Sequence, residues 1–96
     1  MSTTDPKTPT LITTGGVITE YWPANRTDFT LQELQEAVGG MIEVIRMPGN
    51  GPARIMVMNE EGRIHGLAQN VLASGAFGVE GDIIGNVVVC PSKMLK

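Results

Sequence analysis

His65 and Cys90 are the only histidine and the only cysteine in the chain, so they are the first residues to weigh for chemistry. A hydrolytic dyad would join His65 to Cys90 or to a serine. No nucleophile elbow or oxyanion-type glycine motif flanks either candidate. A strand-face or surface role explains His65 more simply. Cys90 closes an apolar run just before Pro91, where a cysteine serves as a small buried hydrophobe. A metal centre needs several His, Cys or clustered carboxylates, which one of each does not supply. The residues therefore predict no catalytic set, no metal and no cofactor: a binding protein rather than an enzyme.

The residues that could bind something are more informative. Glu43 interrupts the otherwise largely apolar run Met41–Met47. If buried, its charge would demand a partner, and Arg46 or Arg54 could supply one. A structural ion pair and a ligand-contacting carboxylate are both open readings of Glu43. Tyr21-Trp22 is the one aromatic pair. An indole can stack a nucleobase for roughly 1–3 kcal/mol, but it can equally pack beneath a helix or at a subunit contact. Arg46, Arg54 and Arg63 have the fork geometry that grips phosphate. Glu60-Glu61 invites a general-acid reading, yet adjacent turn residues diverge into water. Gly39-Gly40 follow a helix rather than precede one, and no GxGxxG pattern or Walker lysine is present, so they are a cap and not a phosphate loop. Gly78 and Gly81 read as a plain loop.

These residues must be held by elements, and the clearest element is a helix from Thr30 to about Val38. Thr30 and Glu33 have capping-box spacing, Phe29 and Leu34 stand at the staple positions, and Gly39 suits a left-handed C-terminal cap. Before it, Thr10–Thr14 and Val17–Trp22 are β-branched runs about Gly15-Gly16, which predicts a hairpin with a tight primed turn. After it, Met41–Met47 and Ala53–Met58 predict two antiparallel strands joined by the loop Pro48–Pro52. Asn59-Glu60-Glu61-Gly62 is a turn, with Gly62 expected in the left-handed position, and Arg63-Ile64-His65 a further strand. Asn70 caps a short helical turn through Ala73, ended by Gly75. Ala76–Gly81 is a loop, and Ile83–Cys90 a final strand in which Gly85 marks a bulge or a close backbone approach.

Ninety-six residues make one domain. Residues 1–9 read as a flexible tail and 10–96 as a single α+β domain. That domain is a small antiparallel sheet of four to six strands with one main helix packed on one face. The hydrophobic fraction of 42% supports a packed core, and aromatics at 4% leave it to aliphatics and methionine. The net charge of -3 and the scattered basic residues argue against binding a nucleic acid polymer. The lone cysteine fits a reducing compartment. No apolar run is long enough for a membrane span, and the N-terminus lacks signal-peptide features, so a cytoplasmic setting is expected. Apolar residues on both sides of the strands, with one helix to cover them, predict a second copy on the open face and hence a homo-oligomer. Met41, Met47, Met56 and Met58 would serve core and contact together.

Residues 29–90 resemble domain-of-unknown-function family 3846, found in bacteriophages, plasmids and their hosts. The resemblance rests on Leu31-Gln32-Glu33-Leu34-Gln35 leading into Val38-Gly39-Gly40-Met41-Ile42-Glu43-Val44. It continues through Asn59-Glu60-Glu61-Gly62-Arg63, Gly66-Leu67 with Asn70 three residues on, and Asp82-Ile83-Ile84-Gly85. The chain departs from the family at Ala68-Gln69, where a proline usually follows the Gly-Leu pair. The resemblance implies a phage or mobile-element accessory protein and carries no settled activity. The expected role is capture of a small nucleotide-like ligand, such as a nucleotide-derived immune signal, without turnover. Its candidate binding set is Trp22, Tyr21, Glu43, Arg46, Arg54, Arg63 and Asn70. The alternative is an inhibitor or adaptor that docks on a host enzyme through a sheet edge or the methionine-rich face.

Overall fold

The computed structural model describes residues 8–47, 53–62, 64, 66–77 and 83–95. The segment before residue 8, the loop 48–52, Arg63, His65, residues 78–82 and Lys96 lie outside the described residues, and so do the expectations attached to them. The elements run β1 (Thr10–Ile12), β2 (Ile18–Glu20), α1 (Leu31–Val38), β3 (Ile42–Arg46), β4 (Arg54–Asn59), α2 (Val71–Phe77) and β5 (Val87–Pro91), followed by a 3-10 turn at Ser92–Met94. The strands form one antiparallel sheet in the order β2-β1-β5-β4-β3. The last strand of the chain is therefore the central strand of the sheet.

α1 forms for the reasons its sequence gives. The Thr30 hydroxyl accepts from the Glu33 backbone N–H at 3.1 Å, and the Glu33 carboxylate accepts from the Thr30 N–H at 2.8 Å. Gly39 takes the left-handed cap with φ 85, donating to the Gln35 carbonyl at 2.8 Å. Phe29 and Leu34 join Val38 and the inward residues Ile55, Val57, Val88 and Cys90 in one core layer. Each of the larger side chains gains about 1.5–3 kcal/mol from burial.

The opposite face is also covered, against the expectation of an open one. Ile12, Met56, Val87 and Val89 pack with Ala73 of α2 and Ile83 in a second core layer, which Met47 and Met58 flank. The premise that an uncovered face needs a second copy is thus removed, because Ala73 of α2 and Ile83 pack on these strand residues; the short helical turn expected after Asn70 is a helix over Val71–Phe77. The methionines divide: Met56 is buried in this layer, while Met41 is exposed. β3, which carries Met41 at its entrance, is an edge strand.

Several local expectations are corrected. The first hairpin has no two-residue primed turn. Gly16 N–H donates to the Thr13 carbonyl and Thr13 N–H to the Val17 carbonyl, and only Gly16 of the pair has positive φ, at 88. That is the longer connection, a turn followed by one left-handed glycine. Gly62 is absent from the positive-φ glycines; its need is space, since a Cβ there would stand 3.2 Å from Ile84 Cγ2. Ile64 is not in a strand but in a turn, 79% exposed. The final strand starts only at Val87, because Gly85 takes φ 83 and lies against Leu67, where a Cβ would meet Cδ1 at 3.1 Å. Pro9, expected in a flexible tail, is fully buried, and its carbonyl accepts from the Tyr21 N–H at 3.0 Å.

Candidate functional site

The two motif segments Gly39–Glu43 and Asn59–Gly62 interlock. Asn59 is buried and its Nδ2 donates to the Val38 carbonyl at 3.2 Å, while its Oδ1 accepts from the Glu61 N–H at 2.7 Å. A Cβ on Gly40 would stand 2.9 Å from Asn59 Nδ2, so Gly40 is the residue that lets this carboxamide in. Glu60 N–H donates to the Met41 carbonyl at 2.8 Å and closes the β3–β4 pairing. These contacts join the end of α1, the start of β3 and the end of β4. The pattern is explained as a structural junction.

Glu43 stands beside this junction on the edge strand, opposite Met58, and is exposed. It lines an open depression of about 300 Å³ with Asn59, Glu60, Gly62, Ile64 and Ile84. Of the two open readings of Glu43, an ion pair with Arg46 or Arg54 is not formed. Side chains alternate along a strand, so Glu43 and Arg46 point to opposite faces. Arg54 is paired with Pro91 near the other end of β4. Exposure removes the need for a partner.

Asn70 is overturned as a ligand contact. It is 0% exposed. Its Nδ2 donates to the carbonyls of Ile12 and Gly85, each at 2.9 Å, and its Oδ1 accepts from the Ala73 N–H at 3.1 Å, capping α2. Every polar group of the side chain is spent on backbone. Tyr21 is also largely committed. Its ring stacks on Phe29 at 5.5 Å and its hydroxyl donates to the Glu33 carbonyl at 3.0 Å. Burial, with the Glu33 and Glu36 carboxylates nearby, raises its pKa above the ordinary phenol value.

Among the described residues, the remaining candidates do not converge. Trp22 follows β2 at one sheet edge, whereas Arg46 is on β3 at the other and Arg54 on its neighbour β4. Three strand spacings, roughly 14 Å, separate β2 from β4. A single mononucleotide stacked on Trp22 would not place its phosphate on both arginines of the far edge.

A residue that the sequence reading passed over takes their place. The Arg26 guanidinium lies over the Trp22 ring, 5.5 Å from its centroid. Arg26 is the only non-glycine among the described residues with positive φ, at 67. Such a conformation costs of order 1 kcal/mol and persists only where surroundings impose it. They do so here. Asn25 Oδ1 accepts from the N–H groups of Thr27 and Asp28 at 2.8 and 3.0 Å, and Arg26 N–H donates to the Pro23 carbonyl at 2.9 Å. Ala24 N–H donates to Glu33 Oε2 at 2.7 Å, which pins the loop to α1. The indole Nε1 in turn donates to Glu20 at 2.9 Å. Trp22 remains 37% exposed, beside a cation whose backbone is fixed by its own loop. The only signal for Arg26 in the sequence was the Asn25–Asp28 turn chemistry, which does not reveal φ.

Among the described residues, no group of three or more His, Cys, Asp or Glu is placed to hold a metal ion, and no helix is long and apolar enough to cross a membrane. Compared with known proteins, residues 14–93 match the family described as "Domain of unknown function (DUF3846)". No curated protein and no solved structure matches the chain.

Proposed function

The chain belongs to the DUF3846 family, and from that premise we propose that it captures a small anionic aromatic molecule at the Trp22–Arg26 corner without turning it over. The observation that carries this reading is the left-handed Arg26 held over an exposed indole. The guanidinium 5.5 Å from the ring supplies N–H donors of the kind that grip a phosphate, and the indole, 37% exposed, offers a surface on which a base can stack. The preferred ligand is a nucleotide-derived immune signal, and the role that of a phage-type accessory protein that sequesters it. The class of ligand rests on the site's chemistry; the phage setting rests on the family resemblance.

The test is to incubate the purified protein with a panel of cyclic and ADP-ribose nucleotides, remove the excess, heat-denature the protein and identify what is released. One intact compound is expected, with retention reduced at least about tenfold in Arg26→Ala, as loss of a charge-assisted contact implies. Release of a cleaved product would show an enzyme. If no compound is retained while a host protein co-purifies, the docking alternative replaces capture.

A further inference from the structure

The outer edge of β3 has a symmetry that the capture reading does not use. Met47 N–H donates to the Arg54 carbonyl and Glu60 N–H to the Met41 carbonyl. In an antiparallel ladder this makes Met41, Glu43, Ile45 and Met47 the residues bonded to β4. The N–H and C=O groups of Ile42, Val44 and Arg46 therefore point away from β4. Among the described residues no strand pairs with them. These three positions are symmetric about Val44, whose side chain is 38% exposed. The strand keeps unbroken register over five residues, without proline, lysine or bulge to blunt it.

We infer that β3 pairs antiparallel with β3 of a second copy, about a twofold axis through Val44, to make a continuous ten-stranded sheet. Val44 then opposes the second copy's Val44, and Ile42 opposes its Arg46, each opposed pair exchanging two backbone hydrogen bonds. No like charges are set directly opposite, since Glu43 faces Ile45 of the second copy and Arg46 faces Ile42. The charges also complement one another across the axis. α1 ends beside Ile42, with no basic residue in its last turn. Arg46 of the second copy arrives on the same face of the sheet and supplies a cation toward the helix's negative end. Edge pairing alone covers less than the roughly 800 Å² per partner of a tight complex, so the dimer is concentration-dependent.

The experiment is light scattering on the full chain after size exclusion, from micromolar to millimolar concentration, with Val44→Pro and Val44→Lys beside the wild type. The wild type should pass from the 10.2 kDa chain mass to twice that value. The Val44 N–H points outward, so proline removes a donor to the second copy without breaking the ladder to β4. Both variants should stay monomeric, or dissociate at concentrations at least about tenfold higher, with unchanged far-UV circular dichroism. If proline unfolds the chain, the lysine variant decides alone. A wild type monomeric throughout, or a dimer that persists in the folded variants, overturns the proposal. So does a monomer that accepts an extended peptide of another protein on this edge. Nucleotide retention is read in a separate assay and does not depend on this outcome.

Discussion

Asn70 and Asn59 show how a polar residue in a motif can serve the chain itself. Each is buried, and each joins backbone segments that are distant in sequence: Asn70 ties Ile12 and Gly85 to the start of α2, and Asn59 ties the end of α1 to the β4 turn. Removing a buried partner leaves those groups unsatisfied at about 1–3 kcal/mol apiece. Asn70→Ala should therefore lower unfolding stability by about 3 kcal/mol, read as a fall in the urea midpoint at constant m. Asn70→Asp should cost at least as much, because it turns an acceptor toward two carbonyl oxygens. Unchanged stability in both variants would return Asn70 to the ligand set. Arg26 makes the converse case: its importance lies in a backbone angle, and residue type alone does not carry that information.

At the scale of elements, α1 is the part most fully encoded locally. Thr30→Ala should cost about 1 kcal/mol through the lost cap, measured by denaturant unfolding at neutral pH. The N–H groups of Thr30 and Ala24 hold the Glu33 carboxyl below its ordinary pKa. A depressed folded pKa gives stability that is present above the unfolded value near 4.5 and lost as pH falls through the folded one. Glu33→Gln should accordingly flatten the acid limb of the stability–pH curve. The box, the staple and the glycine cap were legible in the sequence because their partners lie within a few residues. The sheet class and the β3–β4 pairing were legible from alternation and turn residues. What was not legible depended on distant partners. The second core layer needs Ala73 to meet Met56 and Val87, and nothing near Ala73 announces that. The turn at Gly62 is legible but its need for glycine is not, since Ile84, which crowds it, is 22 positions away. Of the candidate residues, Trp22 has Arg26 over its ring instead of an expected arginine, and Arg46 and Arg54 lie across the sheet.

For the whole molecule, the core layer beneath α1 buries Cys90, and burial pushes its thiol up to about 11 from an ordinary value near 9. The folded state resists ionisation, so stability is full below pH 9 and declines as pH rises toward 11, by about 2 kcal/mol from this group. Tyr21, raised in the same direction, adds to the decline. Cys90→Ala should start less stable from the lost packing and show a shallower alkaline fall, followed by thermal midpoints across that range. The placement of β5 between β1 and β4 has a further consequence, for synthesis on the ribosome. Two hairpins, β1–β2 and β3–β4, emerge first, and neither pairs with the other. Each must wait with an unpaired edge until the last strand arrives to fill the slot between them. Native assembly is thus a late event, and a nascent chain stalled before Val87 would expose two separate strand edges to chaperones and to its neighbours.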